Sequence, residues 1–123
     1  MTIRPGEKAL SQMSHPVVRR HPGSGQAALY VNSGYTVRID GMTDAESAGL
    51  LRFLFDHSLR PEFQIRIAWC PRMLTIWDNR VLQHMAVNDY AGFRREMHRS
   101  SVQGEATLQG GSRVMRARKR VQG

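Results

Sequence analysis

Pro61 separates two different hydrophobic periodicities, and this change constrains the fold more than any other feature of the chain. Before it, apolar residues recur at helical spacing, and Thr43 with Glu46 three residues later forms a capping box. After it, the run FQIRIAW alternates between large apolar residues and smaller or polar ones. The sequence therefore predicts an α-helix over residues 44–59, ended by the proline, and a half-buried β-strand over residues 63–69.

Further short β-rich runs lie on both sides of this helix. Two of them precede it, over residues 28–32 and 35–40, and Ser33 and Gly34 connect them. Three more follow the first predicted strand, over residues 73–78, 82–87 and 93–102. The predicted fold class is therefore mainly β with one inserted α-helix.

The length of the chain, 123 residues, is sufficient for one domain with a modest core. We expect an unstructured lead over residues 1–14, a folded part over residues 15–104 and a disordered tail over residues 105–123, since the ends lack apolar periodicity. The single cysteine, Cys70, excludes an internal disulfide and favours a reducing, cytoplasmic setting. No apolar run approaches the roughly 20 residues that span a bilayer, so no membrane association is predicted.

The net charge of +8 and the pI near 11.0 are typical of proteins that bind polyanions. However, five of the eighteen lysines and arginines lie in the closing stretch GGSRVMRARKRVQG. Because this stretch has no periodic apolar face, a disordered basic tail is the favoured interpretation and nucleic acid is not the expected partner. A tail that binds an anion or nucleic acid remains the alternative.

A histidine and two arginines stand close together near the end of the folded part. If residues 93–102 form a strand, alternation places Arg95 and Arg99 on one face. Two such guanidinium groups form either an ordinary solvated surface or a pocket for carboxylate or sulfonate groups. His84 is either a hydrogen-bonded core residue or a metal ligand, and the residues alone leave these alternatives open. The other face of the predicted strand carries Arg94, Glu96 and His98.

Three blocks within residues 15–104 carry a further signal. They read HPVVRRHPGSGQAALYVNSGYTVRIDGM, ESAGLLRFLFDHSLRPEFQIRIAW and WDNRVLQHMAVNDYAGFRREMHR. Together they resemble the C-terminal half of the taurine dioxygenase (TauD/TfdA) family of iron(II)- and 2-oxoglutarate-dependent dioxygenases. The resemblance implies a partial double-stranded β-helix, or jelly roll, whose N-terminal half is missing.

The same resemblance implies roles for four residues. His84 would be the distal iron ligand, and Arg95, eleven residues later, would bind the far carboxylate of 2-oxoglutarate. Arg99 would face the acidic group of the substrate, and Tyr35 would line the substrate pocket. The implied cofactors are Fe(II), 2-oxoglutarate as cosubstrate and O2. The implied reaction decarboxylates 2-oxoglutarate to succinate and CO2 while it oxidises a small anionic substrate such as taurine or another sulfonate.

The His-x-Asp pair that supplies the other iron ligands of the family is missing. None of the five histidines is followed two residues later by Asp or Glu. We therefore expect an inactive fragment without its own catalytic residues, which needs a complementing N-terminal half. Two other possibilities are a non-catalytic remnant that binds anions and a homo-oligomer formed through open strand edges.

Overall fold

The computed structural model describes residues 12–105, 108–109 and 115–120. In chain order the elements are β1 (Gln12–Pro16), β2 (Val18–Arg20), β3 (Ala27–Leu29), β4 (Thr36–Ile39), α1 (Asp44–Ser58), a 3-10 turn (Pro61–Phe63), β5 (Leu108–Gln109) and β6 (Arg116–Arg120). The strands form two antiparallel sheets of three, in the orders β1-β6-β4 and β3-β2-β5. The described residues are thus mainly β with one α-helix, as predicted.

Helix α1 confirms the predicted helix within one residue at its end. The hydroxyl oxygen of Thr43 accepts a hydrogen bond from the Glu46 N–H at 3.3 Å, and the Glu46 carboxylate accepts one from the Thr43 N–H at 2.9 Å. The hydrogen bond from the Thr43 backbone, followed by that from its side chain, lowers the pKa of Glu46. The buried Ser47 hydroxyl accepts the Ile39 N–H at 2.7 Å, so the helix is bonded to β4. No helix in the described part of the chain is long and apolar enough to cross a membrane.

The two strands predicted before the helix are present in shortened form. β3 covers part of residues 28–32, and β4 covers most of residues 35–40. They belong to different sheets, so the connection through Ser33 and Gly34 does not form a β-hairpin. Instead β3 pairs with β2, and Val17 links the two sheets, since its N–H donates to the Met115 carbonyl and its own carbonyl accepts the Tyr30 N–H.

The core of the described residues is small. Its buried apolar members are Val17, Val31, Ile39, Leu51 and Ala117. Partly buried side chains of α1 pack against them, including Leu50, Leu54 and Phe55. Complete burial of a side chain the size of Ile39 contributes about 1.5–3 kcal/mol. Another core member, Ala117, belongs to residues 105–123, which were predicted to form a disordered tail.

β6 is the central strand of its sheet. It pairs with β1 from Gln12↔Arg120 to Pro16↔Arg116, and with β4 at Ile39↔Ala117. The predicted disorder of 1–14 and 105–123 is therefore wrong for residues 12–14, 108–109 and 116–120. The reason is that backbone pairing with distant partners needs no apolar periodicity. Residues 1–11 and parts of the predicted tail lie outside the described residues.

Residues 64–105 contain no helix or strand, although the structure describes all of them. The predicted strands over residues 63–69, 73–78, 82–87 and 93–102 are therefore wrong, because an alternating pattern fixes the faces of a strand and not its hydrogen-bonding partner. Several large apolar side chains here are at least 81% exposed: Ile65, Leu74, Ile76, Met85, Phe93 and Val102. We call residues 64–105 the arm, and residues 12–63 together with β5 and β6 the body.

Candidate functional site

Trp77 contacts two of the four predicted site residues. The centroid of the His84 ring lies 5.0 Å from that of the Trp77 ring, with 51° between the planes. The Cζ atom of Arg99 lies 5.9 Å from the centroid of a Trp77 ring. A ring pair contributes about 0.5–1.5 kcal/mol, and an exposed cation–π contact about 0.5–1 kcal/mol. The indole is therefore a shared platform for one imidazole and one guanidinium group.

Arg95 packs on a different ring. Its Cζ atom lies 4.8 Å from the Tyr90 centroid, and its Nε donates to the Met97 sulfur at 2.9 Å. These contacts do not join Arg95 to Arg99, so the predicted common anion pocket remains a prediction. Neither arginine forms an ion pair with a carboxylate of the described residues. Stacking occupies the face of a guanidinium group and leaves N–H groups at its edge for an anion.

Alternation persists locally around Arg95 although no strand forms. On one side of the chain, the Glu96 carboxylate pairs with the Arg94 guanidinium and lies 3.6 Å from Nε2 of His98. On the other side, Arg95 contacts Met97, two residues further along. The predicted grouping of Arg94, Glu96 and His98 is therefore present, without the cross-strand hydrogen bonds of a sheet.

Tyr35 lies in the body, in the turn between β3 and β4. Its N–H donates to the Asn32 side-chain oxygen at 2.8 Å, and the Thr36 N–H donates to the Asn32 carbonyl at 3.0 Å. These bonds fix the backbone of the turn, while the Tyr35 side chain is exposed. Its role in lining a substrate pocket stays a prediction.

Two hydrogen bonds between residues more than fifty positions apart attach the Trp77–His84 segment to the body. His21 Nε2 lies 2.9 Å from Oδ2 of Asp78. The Gln83 side-chain N–H donates to the Val31 carbonyl at 2.9 Å. Asp78 follows Trp77 and Gln83 precedes His84, so the two bonds lie at the two ends of the segment. None of these four bonded residues was predicted from the sequence to belong to a site.

The β2–β3 hairpin fixes the orientation of the His21 ring. The hairpin is closed by hydrogen bonds from the His21 N–H to the Gln26 carbonyl and from the Gly25 N–H to the His21 carbonyl, both 2.8 Å. Gly25 has φ of +72°, a conformation that favours glycine. Nδ1 of His21 accepts the Ser24 N–H at 2.9 Å, which leaves the proton on Nε2 for donation to Asp78.

Ser24, His21 and Asp78 therefore lie in series, and the order resembles that of a catalytic triad. The Ser24 hydroxyl oxygen is 3.1 Å from Nδ1 of His21. However, the lone pair of this nitrogen is already engaged by the Ser24 backbone N–H. Because a general base needs a free lone pair, the arrangement is suited to holding the imidazole and not to activating the serine.

Asp78 is the centre of a charged cluster. Nε and Nη2 of Arg80 donate to its two carboxylate oxygens at 2.8 and 2.7 Å, and the Arg80 backbone N–H donates at 2.9 Å. The Arg80 side chain first, and His21 next, hold the pKa of Asp78 well below its ordinary value. Asp78 in turn raises the pKa of Arg80, which also lies 3.6 Å from the Glu105 carboxylate. Asp78 is thus an ionised anchor whose oxygens are already bonded.

The described residues do not form a complete iron site. No three of their His, Cys, Asp or Glu side chains lie where they could hold a metal ion together. The His84 imidazole suits ferrous iron, but one ligand of this kind does not complete a site of two histidines and a carboxylate. A groove of about 210 Å³ beside the hairpin contains none of the four predicted site residues; it is lined by His21, Ser24, Gln26, Ala27, Ala28 and Val81.

Comparison with known proteins gives a consistent result. Residues 2–101 match the family model described as "Taurine catabolism dioxygenase TauD, TfdA family". An alpha-ketoglutarate-dependent dioxygenase of Penicillium expansum is 44% identical over 94 residues, which are 75% of this chain and 26% of the relative. The alpha-ketoglutarate-dependent sulfate ester dioxygenase of Pseudomonas putida is 39% identical over 97 residues, 79% of this chain and 32% of the relative.

A third relative extends the range of organisms. The alpha-ketoglutarate-dependent sulfonate dioxygenase of Saccharomyces cerevisiae is 40% identical over 77 residues, 62% of this chain and 19% of the relative. The chain thus spans between about a fifth and a third of the length of these three curated relatives. None of the solved structures matches the chain significantly.

Proposed function

The chain belongs to the TauD/TfdA family of dioxygenases, and on that premise we propose that it is the C-terminal part of a 2-oxoglutarate-dependent dioxygenase. The complete protein would decarboxylate 2-oxoglutarate to succinate and CO2 and use the second oxygen atom of O2 to oxidise a small anionic substrate. The observation that carries this proposal is the shared platform of His84 and Arg99 on Trp77. It brings a metal-binding type of side chain and an anion-binding one to the same indole.

In this proposal the chain contributes one ligand of an iron site and two anion contacts. His84 provides the imidazole, and Arg95 binds the far carboxylate of 2-oxoglutarate. Arg99 binds the acidic group of the substrate, with Tyr35 at the pocket wall. Neither Arg95 nor Arg99 has a carboxylate partner among the described residues, which supports these two roles. The N–H groups of each guanidinium group can therefore donate to an incoming anion. The remaining iron ligands have to come from residues that this sequence does not contain.

The exposed apolar side chains of the arm support the need for a complement. Their alternating pattern is that of strands, and a strand is stable only when its backbone groups pair with a neighbour. We propose that the missing part of the domain packs against the exposed apolar side chains of the arm. The arm and the missing part would then complete a jelly roll together with the body.

The substrate class is proposed from charge and from the relatives. Arg99 can bind a sulfonate, sulfate or carboxylate group through two parallel N–H bonds. Relatives named for sulfonates and for sulfate esters match this chain over most of its length. We therefore propose a small alkyl sulfonate, such as taurine, or an alkyl sulfate as the substrate.

The test joins the chain to the N-terminal segment of a relative and measures succinate release. The 123-residue chain and the joined protein are assayed with iron(II), ascorbate and 2-oxoglutarate, with taurine, an alkyl sulfonate or an alkyl sulfate. We expect no turnover from the chain alone and substrate-dependent succinate release from the joined protein. Succinate release by the isolated chain would contradict the need for a complementing N-terminal part. Absence of succinate release by the joined protein with every substrate would contradict the proposed function.

Matched variants assign the residues in the joined protein. His84→Ala should abolish succinate release, whereas His98→Ala, at an exposed histidine paired with Glu96, should leave it unchanged. Arg95→Ala should raise KM for 2-oxoglutarate and Arg99→Ala should raise KM for the sulfonate, each roughly 10- to 100-fold for the loss of a charge-assisted contact. Arg94→Ala is the control for both arginines. Equal effects at Arg94 and Arg95 would refute the assignment of Arg95.

A further inference from the structure

We propose that His21 and Gln83 are positioning residues that hold the Trp77–His84–Arg99 cluster in place from the body. This inference rests on the proposed function for its meaning, because it concerns the residues that would present His84 to iron. It differs from the roles above in that neither His21 nor Gln83 touches a reacting group. Its physical content, a fixed geometry of the His84 ring, can be measured without iron or turnover.

The argument begins with the irregular backbone of the arm. In a sheet, cross-strand hydrogen bonds would fix the direction of a side chain, but residues 64–105 have none of this regular pairing. Within the arm, the Asp78 carbonyl accepts the N–H groups of Val81 and Leu82 at 3.2 and 3.0 Å, which forms a turn after Trp77. This turn fixes the local shape of the segment but not its position on the body. A longer-range connection has to provide that position.

Side chains at the two ends of the segment provide this connection. At one end, the His21–Asp78 bond joins the tip of β2 to the residue after Trp77. At the other, the Gln83 amide reaches the Val31 carbonyl, and Val31 is only 1% exposed and belongs to the core. His84 follows Gln83 directly and packs on Trp77. Trp77 and His84, which pack on each other, are thus each next in sequence to a residue that is bonded to the body.

Arg80 explains why the His21 contact can orient a turn. It binds Asp78 through two side-chain nitrogens and its own N–H, so the carboxylate plane is fixed relative to the turn. A hydrogen bond from His21 to this fixed carboxylate therefore constrains the whole turn and not a rotating side chain. Groups that hydrogen-bond directly to a metal ligand commonly change metal affinity or activity by about 10- to 100-fold when they are replaced. His21 acts one step further away, through Asp78 and the turn, so we expect an effect at the lower end of this range.

Two amide substitutions at position 21 separate positioning from local structure. In His21→Gln the amide N–H stands near the place of Nε2 and can still donate to Asp78. In His21→Asn the side-chain oxygen stands near the place of Nδ1 and can still accept the Ser24 N–H, as in an ordinary Asx turn. If His21 positions the cluster, Gln should preserve the geometry and Asn should lose it. If His21 serves only the hairpin, the order should be reversed.

The measurement follows the imidazole of His84 by NMR in the full chain with ring-labelled histidines. The Trp77 ring should displace the His84 proton signals from their positions in Trp77→Leu, which has no aromatic ring, and His84→Ala assigns them. We expect this displacement to survive in His21→Gln and in the control His98→Ala, and to be lost in His21→Asn. Absence of the displacement in the parent chain, or its survival in His21→Asn, would overturn the proposal.

Gln83→Glu provides a second test at the other attachment. The substitution keeps the shape of the side chain but removes the N–H donor, and it should also reduce the displacement of the His84 signals. If His21→Asn fails to fold, as judged from the far-UV signal of α1, the His84 signals of Gln83→Glu provide the test of positioning instead. An unchanged His84 spectrum in Gln83→Glu would contradict the proposed role of that attachment.

The joined protein then links geometry to turnover. His21→Asn should lower the rate of succinate release roughly 10-fold, the lower end of the range for groups bonded directly to a ligand, with His21→Gln closer to the parent. A parent protein that shows the displaced His84 signals but no turnover would refute the proposed function and leave the positioning established. A parent that turns over, with His21→Asn as active as His21→Gln, would refute the positioning and leave the function.

Discussion

The body and the arm of this molecule have similarly apolar sequences, but only the body forms helices and strands and buries a core. In the body, Ile39 is completely buried, its N–H is bonded to Ser47, and its strand pairs with β6. In the arm, Ile65 belongs to a cleaner alternating pattern and is 87% exposed. The difference is the presence of a partner. Hydrophobic alternation becomes a strand only where a second segment satisfies the backbone groups along its edge.

The first prediction concerns β6, the strand that pairs with both β1 and β4 in the body. Ala117→Asp should destabilise the chain by about 3–5 kcal/mol, because it places an unpaired charge in the completely buried centre of β6. The matched control is Met115→Asp, at a side chain that is 43% exposed. Urea unfolding followed by far-UV circular dichroism measures both. Equal losses would show that β6 is not part of the core.

The second prediction compares an isoleucine in the body with one in the arm. Ile39→Ala should cost about 2–5 kcal/mol, because it leaves a cavity in the core. Ile65→Ala should change stability by no more than about 0.5 kcal/mol, as is usual at exposed positions. Both are measured by urea unfolding of the isolated chain. In the joined protein Ile65→Ala should become more costly, and a constant small effect would argue against burial of the arm.

The third prediction concerns the capping box of α1. Thr43→Ala removes the acceptor for the Glu46 N–H and should destabilise the body by about 1 kcal/mol. Thermal unfolding followed at the helical signal measures the change. Thr43→Ser, which retains the hydroxyl oxygen, is the control, and a loss of the same size there would contradict the capping explanation.

The fourth prediction concerns pH and the contact between the body and the arm. Since the pKa of Asp78 in the folded chain is lowered from its ordinary value of 3.8, the ionised carboxylate stabilises the attached arm above that pH. This contribution should decline as the pH falls below 3.8 towards the lower folded value. The urea midpoint of Trp77 fluorescence in a Trp69→Phe background should therefore fall more steeply with acid in the parent than in Asp78→Asn. Parallel pH profiles would contradict the assignment.

Local signals predicted the helix, and the reason is that all of its determinants lie within twenty residues. Thr43 and Glu46 bond to each other, and the apolar side chains that follow repeat at the helical period. β6 could not be predicted in the same way, because its pairing with β1 joins residues about a hundred positions apart. Nothing in RARKR indicates a central strand, and the small buried Ala117 has no periodic apolar neighbours.

The residues of the candidate site also fall into those that the sequence indicated and those that only distant contacts reveal. Resemblance to a family indicated His84, Arg95, Arg99 and Tyr35, and of these His84 and Arg99 contact a common side chain. Trp77 itself was not predicted as the platform, although it begins the same sequence block. The His21–Asp78 and Gln83–Val31 bonds left no sequence signal, because each joins ordinary polar groups across more than fifty residues.

The central position of β6 has a consequence for biosynthesis. β1 and β4 lie on either side of a strand whose last residue, Arg120, pairs with Gln12. The sheet can therefore close only after Arg120 has left the ribosome, whereas α1 can form much earlier. Until that moment the nascent polypeptide presents the apolar residues of the body to chaperones and proteases, as is typical of topologies dominated by distant contacts.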